Sequence, residues 1–236
     1  MLHAAGAPNW SLSLIAVGRG SPRKMPQPLS RVLPNAGVRI GNVGDYPLAR
    51  HPALALLAAE VIASWSNVEA FMLRLFVQLM GGPADIAATV FLALENQSAK
   101  TAAINAASRR LPEEQGRLLR ALMAIAKTRQ KSRDKIAHWT WGDSPQLPDA
   151  LLLLDPRTSV TDDHLSNDDV YVYKERDFAE IIRANERLAG FGMIFKFILM
   201  GHVANRDGQL FAQLCAEPEI RERLGRDAQR SRPGNE

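Results

Sequence analysis

The sequence contains one cysteine, few aromatic residues and none of the common motifs of nucleotide-binding proteins, zinc proteases or serine hydrolases. The single cysteine, Cys215, excludes an intramolecular disulfide and a cysteine-rich metal site. Aromatic residues make up 6% of the chain and mostly recur at the spacing of a helical core, which does not support a base-stacking sheet. A Walker A motif, a GxGxxG after a strand, HExxH and GxSxG are all missing. The chemistry that these motifs support is therefore not expected here.

The sequence also lacks a long hydrophobic run that is free of charge. The apolar run at residues 188–204 is short and contains Lys196 and His202, whereas a membrane-spanning helix needs about 20 apolar residues. The apolar stretch at residues 12–17 has no basic region before it, so a secretory signal is not expected. These features predict a cytoplasmic protein that does not enter a membrane.

Composition divides the chain into three parts. Residues 1–48 are rich in Pro, Gly and Ser and predict a partly disordered N-terminal extension, with short strands at residues 11–17 and 38–44. A second hypothesis for this part is that translation starts at Met25, in which case residues 1–24 are not made. Residues 49–203 predict a helical domain, and residues 204–236 predict short C-terminal helices followed by a basic, disordered tail from residue 225.

Helical periodicity in residues 49–203 predicts an all-α fold, an antiparallel helical bundle. The expected helices span residues 52–80, 84–95, 98–111, 112 to the segment before Gly142, and 175–201. Ser98 is the expected N-cap of the third helix. Two β-prone runs, at 150–154 and 170–173, predict a small β-hairpin inserted between the fourth and fifth main helices.

The fourth helix is the most basic segment of the chain. At about 100° per residue, Lys127, Lys131, Asp134 and His138 share one face, away from the apolar stripe that faces the core. Arg133 points along that stripe, about 140° from His138, so its guanidinium must be paired or must lie in a groove. Such alternating basic residues indicate either a solvated helix face or a surface that attracts phosphates.

The segment from Arg133 to His138 resembles the R-x4-6-H motif of the HEPN superfamily. It has an arginine, the polar residue Asp134 and a histidine at the C-terminal end of a long helix in a helical domain. The resemblance covers about residues 52–202. It implies a helical bundle that acts as a dimer with facing motifs and cleaves RNA without a metal or other cofactor, although some members are catalytically inactive binding modules. The family often has Asn after the arginine, where this chain has Asp134.

The resemblance and the side-chain chemistry together predict the site. Histidine is the side chain suited to proton transfer near neutral pH, so His138 is the candidate acid or base, while the Arg133 guanidinium matches phosphate oxygens. Asp134 would orient either group, and Glu69 is expected to neutralise Arg133 or to lie on an exposed helix face. The residues expected to contact RNA are Lys127, Lys131, Lys135, Trp139 and Trp141.

A purely structural interpretation exists for each of these residues. His138 would then be a cation at a helix C-terminus, and Arg133 would form a buried ion pair with Glu69 or Asp134. The two tryptophans after the motif would cap the end of the bundle. An exposed His138 combined with an Arg133 enclosed in an internal ion pair would leave only a helical scaffold.

The function expected from the sequence is that of a cytoplasmic, metal-independent endoribonuclease. Its expected partners are RNA, a second copy of the chain and an antitoxin or other partner protein, in the setting of a toxin–antitoxin or defence system. The alternative is a catalytically inactive module that binds RNA or a partner protein through the same helix.

Overall fold

Three long helices and a small antiparallel sheet form the fold in this computed structural model. It describes residues 26–41, 46–158, 166–202, 205 and 207–230, with side chains up to residue 226. The helices are α1 Leu29–Val32, α2 Pro47–Arg50, α3 Pro52–Met80, α4 Ala84–Leu92, α5 Gln97–Ala107, α6 Glu113–His138, α7 Glu175–Leu199, α8 Gln209–Ala216 and α9 Pro218–Arg230. The strands are β1 Gln27–Pro28, β2 Arg39–Ile40, β3 Thr140–Asp143, β4 Ala150–Leu154 and β5 Val170–Lys174.

Helix α3 has the predicted bounds. Pro52 occupies its first turn, where the missing N–H costs nothing, and Gly81 ends it with a left-handed φ of 64°. Within the described residues α3 is also the one helix long and apolar enough to cross a membrane, and 39% of its most apolar window is buried inside the molecule. The most apolar segment is thus α3 rather than the predicted run at 188–204. Its long contact with α7 accounts for much of this apolar surface.

The start of α5 differs from the prediction. Asn96, not Ser98, is the N-cap, because its side-chain oxygen accepts a hydrogen bond from the backbone N–H of Ala99 at 2.8 Å. Asparagine and serine cap helices about equally well, so local preference could not separate the two positions.

Helix α6 ends at His138, earlier than predicted. Trp139 has extended backbone angles, and Thr140–Asp143 forms β3 instead of further helix. A Cβ atom on Gly142 would lie 2.7 Å from the carbonyl oxygen of Arg39 in the neighbouring strand. Gly142 therefore permits close strand pairing, and it is not the residue that stops the helix.

The predicted hairpin is the centre of a larger sheet. Strands β4 and β5 pair antiparallel with Leu152 opposite Val172, as expected. The full strand order is β1-β5-β4-β3-β2, and every neighbouring pair is antiparallel. The chain is mostly helical, as predicted, but an all-α class with one hairpin is too narrow a description.

Part of the predicted N-terminal extension belongs to this sheet. Gln27–Pro28 and Arg39–Ile40 form its two edges, so the strand expected within residues 38–44 is confirmed at its start. Leu29 is fully buried, so this part of the predicted extension also contributes to the core. The predicted strand at 11–17 and the question of residues 1–24 lie outside the described residues.

Strand β4 is buried on both faces. Leu151 and Leu153 pack against α3 and α7, whereas Leu152 and Leu154 pack against the N-terminal segment that includes Leu29. Because successive side chains of a strand point to opposite faces, this double burial requires an unbroken apolar run rather than an alternating one.

A buried carboxylate attaches the N-terminal segment to the sheet. Asp143 is 1% exposed and accepts two hydrogen bonds from Arg39, at 3.0 and 2.6 Å, and two from Arg50, at 2.8 and 3.0 Å. Nε2 of His51 lies 3.5 Å away. Burial opposes ionisation, but the hydrogen bonds from Arg50 and Arg39 outweigh it and hold the pKa of Asp143 well below its usual range.

Helices α3 and α7 run in the same direction. Asn185 donates a buried hydrogen bond to Ser64 at 3.0 Å, and Gly192 lies against the ring of Phe71; both pairs are 121 residues apart. A constant offset is the signature of parallel helices. Helix α6 runs the opposite way, with its N-terminal half in the core of α3 and α7 and Ile136 beneath the sheet. The long helices therefore alternate in direction along the chain, but the extensively packed pair α3 and α7 is parallel, which the predicted antiparallel bundle did not include.

The C-terminal helices belong to the main core. Leu214 of α8 and Ile220 of α9 are fully buried in the same cluster as α3, α6 and α7. The backbone of α9 remains helical to Arg230, five residues beyond the predicted start of the disordered tail at residue 225.

Candidate functional site

The C-terminal part of α6 borders a cleft of about 280 Å³, which we call the motif cleft. Its other walls come from α3 and from the start of α5. Four predicted site residues line it, namely Glu69, Arg133, Asp134 and His138. Five residues that the sequence analysis did not select also line it, namely Trp65, Glu95, Gln97, Lys100 and Gln130.

Arg133 is held in an ion pair at the wall of the cleft. Its Nη1 donates to Oδ1 of Asp134 at 3.0 Å, and the two side chains are 26% and 39% exposed. The Nε–H of Arg133 is buried and donates no hydrogen bond to the described residues. The guanidinium is thus oriented by Asp134 and remains partly exposed at the wall of the cleft.

His138 is exposed at the end of α6 and lines the same cleft as Arg133. The long arginine side chain explains how two residues about 140° apart on a helix can border one cavity. An exposed His138 and an Arg133 enclosed in an internal ion pair would together have left only a helical scaffold. The exposed His138 is observed, but the ion pair of Arg133 and Asp134 is partly exposed rather than internal.

Glu69 faces the motif cleft without a direct ion pair to Arg133. Its Oε1 accepts a hydrogen bond from the indole N–H of Trp65 at 3.1 Å, and Trp65 is 1% exposed. Among the described residues, Asp134 is the carboxylate within ion-pair distance of Arg133. The buried indole therefore fixes Glu69 as a second acceptor in the cleft.

Lys127 and Lys131 are exposed on the face of α6 that also carries His138, and they lie outside the cleft. At about 1.5 Å per residue, they are roughly 16 and 10 Å from His138 along the helix axis. Arg129 is engaged elsewhere, because its Nη2 donates to Oε1 of Glu219 in α9 at 2.6 Å. The basic face is therefore a short row of lysines that leads to the cleft.

The structure does not bring the other three predicted RNA contacts into the cleft. The ammonium of Lys135 lies 4.5 Å from the ring centroid of Trp139 and 4.7 Å from that of Tyr171. Burial lowers the pKa of Lys135, and the charge of Asp155 partly opposes this shift. Trp141 packs beneath the sheet from β3. This arrangement matches the interpretation in which these residues close the end of the bundle.

The cleft combines acidic and basic groups. Glu69, Glu95 and Asp134 supply three carboxylates, against the two permanent cations Arg133 and Lys100 and the titratable His138. Protonation of the imidazole would balance the charge. Among the described residues no group of three or more His, Cys, Asp or Glu side chains could hold a metal ion. The groups present can transfer a proton, orient an arginine and stabilise negative charge on an oxygen.

The residues from α5 and the preceding loop were missed because no local signal marks them. Gln97 and Lys100 precede the motif by more than 30 positions and occupy the first turn of a short helix. Gln97 is fixed there by a contact of its Nε2 with the sulfur of Met72 at 2.9 Å. Only the packing of α5 on α3 brings this turn to the motif.

A larger cavity of about 760 Å³ lies beside the first turns of α3 and α7. Charges of both signs line it, including Arg50, Arg183 and Glu175. Lys174 in its wall is paired with Asp149 at 2.7 Å. Four permanent cations face two carboxylates there, but Arg50, Lys174 and Arg176 are already paired with Asp143, Asp149 and Asp177, so we base no function on this cavity.

Comparison of the chain with models of known families, with curated proteins and with solved structures finds no match. Any functional conclusion therefore depends on the residues of the motif cleft themselves.

Proposed function

We propose that this protein is a metal-independent endoribonuclease of the HEPN type that acts as a homodimer. The observation that supports this proposal best is the shared cleft of Arg133, Asp134 and His138. Proton transfer and charge stabilisation are the two functions that RNA cleavage requires, and the two side chains suited to them border one cavity.

The proposed reaction uses the nucleophile that RNA already contains. An imidazole accepts the proton of a ribose 2′-OH, the 2′-oxygen forms a bond to the adjacent phosphorus, and the bond from phosphorus to the 5′-oxygen breaks. A second acid protonates the departing 5′-oxygen, so the products are a 2′,3′-cyclic phosphate and a 5′-OH. In a dimer with facing clefts, the two copies of His138 supply both the base and the acid.

Arg133 stabilises the negative charge that develops on the phosphorane oxygens. Its side chain lines the cleft and is 26% exposed, so the accessible N–H groups of the guanidinium can donate to an oxygen that enters the cleft. Asp134 keeps the guanidinium in place through the 3.0 Å ion pair. Lys127 and Lys131 attract the strand along the exposed face of α6. The biological setting that we propose is a cytoplasmic toxin or defence effector, controlled by an antitoxin or another partner protein.

The second candidate function is a catalytically inactive module that binds RNA or a partner protein. The carboxylates of Glu69, Glu95 and Asp134 favour it, because they reduce the attraction of the cleft for a phosphodiester. In this case the exposed lysines of α6 would provide the binding surface and His138 would have no role in bond cleavage.

Incubation of the purified protein with a mixed pool of RNA in EDTA tests the proposal. We expect cleavage, with 2′,3′-cyclic phosphate and 5′-OH ends when the fragments are mapped. RNA that is retained on the protein but stays intact would support the inactive module. Intact RNA without retention would exclude both functions that involve RNA.

A further inference from the structure

Lys100 is a half-buried cation in the motif cleft that has no ion-pair partner among the described residues. It lies in α5, across the cleft from Arg133. Its ammonium is 5.7 Å from the ring centroid of Phe91, which is 2% exposed. The ammonium thus lies against this buried ring at the edge of the cavity that Lys100 lines.

The backbone next to Lys100 favours an anion, although the carboxylates of Glu69 and Glu95 line the same cavity. The first turn of α5 borders the cleft, and the N-terminus of a helix has a partial positive charge. Asn96 caps this turn and Gln97 is held on Met72, so the lysine extends from a fixed backbone. Neither Glu69 nor Glu95 forms an ion pair with Lys100, so the ammonium keeps N–H donors for an oxygen that enters the cavity.

We propose that Lys100 is a positioning residue that contacts the RNA phosphate next to the one bound by Arg133. Two cations on opposite walls of the cleft then hold two successive phosphates of one strand. The ligand that we propose for this cleft of about 280 Å³ is a segment of single-stranded RNA. This inference rests on the proposed function in that it assumes RNA as the ligand of the cleft.

The test measures binding separately from cleavage. Fluorescence anisotropy with a short single-stranded oligonucleotide that lacks 2′-OH groups gives the affinity at several salt concentrations. We expect Lys100→Met to weaken binding about tenfold, as for the loss of one charge-assisted contact. The slope of log affinity against log salt should fall by about 0.7, the value for one phosphate contact on a single strand. Lys100→Arg should restore most of the affinity.

The matched control is Lys196→Met, because Lys196 lies in a groove between α3 and α7 that is separate from the motif cleft. It should leave both affinity and slope unchanged. With cleavable RNA, Lys100→Met should raise KM and leave kcat within about threefold of the wild type, as expected for loss of a binding contact.

The outcomes separate this inference from the proposed function. If the wild type binds the oligonucleotide and Lys100→Met binds it with the same affinity and salt slope, Lys100 is not a phosphate contact, whether or not the protein cleaves RNA. If the wild type binds without cleaving RNA and Lys100→Met is weaker, the contact is supported and the nuclease is not. A wild type that neither binds nor cleaves RNA overturns both.

Discussion

The proposed function gives three residues of α6 in the motif cleft different chemical tasks. Asp134 orients the Arg133 guanidinium, whereas His138 is exposed at the end of the helix and is assigned proton transfer. Substitution of Arg133 or His138 by alanine should not disturb the core, since both side chains lie at its edge. The functional and structural interpretations of these residues can therefore be separated by mutation.

We expect His138→Ala to reduce cleavage by about 10²–10⁴-fold, because it removes the general acid or base. Arg133→Ala should reduce it by about 10²–10³-fold, because it removes a donor to the developing oxyanion. Rates of cleavage of a labelled RNA under single-turnover conditions provide the measurement. Arg74→Ala, an exposed arginine of α3, is the control and should retain full activity. Full activity of both cleft variants, with unchanged thermal unfolding, would exclude these roles.

Asp143 is the residue whose loss should destabilise the fold most directly. Asp143→Asn would leave Arg39 and Arg50 without their buried counter-charge and should lower the free energy of unfolding by about 3 kcal/mol, near the low end for a broken buried pair because both arginines are partly exposed. Urea unfolding at pH 7 measures this change. A difference below about 1 kcal/mol would show that the cluster does not secure the N-terminal segment.

The same carboxylate predicts a dependence of stability on pH. The pKa of Asp143 is depressed in the folded state, whereas in the unfolded chain it is about 3.9. The unfolded state therefore binds more protons as the pH falls, and the stabilisation that is complete above about pH 5 is lost progressively below it. Urea midpoints between pH 3 and 7 should decline more steeply for the wild type than for Asp143→Asn. If the urea midpoints of the two proteins declined in parallel, Asp143 would not be the source of the pH dependence.

At the level of elements, the close contact of α3 and α7 positions the site. Helix α6 packs on both helices, so their spacing determines where the motif lies relative to Glu69 and α5. The spacing depends on one glycine, because a Cβ atom at Gly192 would lie 2.1 Å from Cδ2 of Phe71. The ring is 5% exposed and has little room to move.

Gly192→Ala should destabilise the protein by about 2–3 kcal/mol, the cost of an overpacked core. Gly190→Ala is a matched control in the same helix, since a Cβ atom there would meet nothing within 4 Å. That variant should be more stable by about 0.5–1 kcal/mol, because alanine favours helix over glycine. Thermal or urea unfolding of the two variants tests the opposite signs. Equal changes in stability for Gly192→Ala and Gly190→Ala would show that α3 and α7 can move apart at no cost.

At the level of the whole molecule, the sheet reverses the chain between α6 and α7. Its inner face covers the end of the bundle, and the N-terminal segment covers its outer face. The motif therefore lies at the junction of bundle and sheet. A monomer presents one His138, whereas the proposed mechanism uses two imidazoles, so the oligomeric state decides whether the cleft can act.

We expect the protein to sediment as a dimer at micromolar concentration. Specific cleavage activity should fall on dilution below the dissociation constant of the dimer, because each copy supplies one of the two proton-transfer groups. Sedimentation velocity and a dilution series of the cleavage assay provide the two measurements. A monomer that cleaves RNA with the same specific activity at every concentration would exclude the paired site.

The sequence by itself determined the long helices and the motif. The apolar period from Pro52 to Gly81, and the acids that follow Pro112, are local signals, so α3 and the start of α6 were predicted correctly. The run at residues 150–154 was also predicted to be a strand, but its burial on both faces was not, because the segment that covers the outer face was interpreted as partly disordered. Its covering residues, such as Leu29, lie more than 100 positions away.

Only the tertiary structure decided which groups share the cleft. Lys100 and Glu69 come from separate helices, and Lys135 and Trp139 turn instead toward Tyr171 in β5. Helical periodicity gives the direction of a side chain around its own helix, but it contains no information about the element that packs there. The chemistry of Arg133 and His138 was therefore visible in the sequence, and their surroundings were not, because those surroundings arise from contacts between distant parts of the chain.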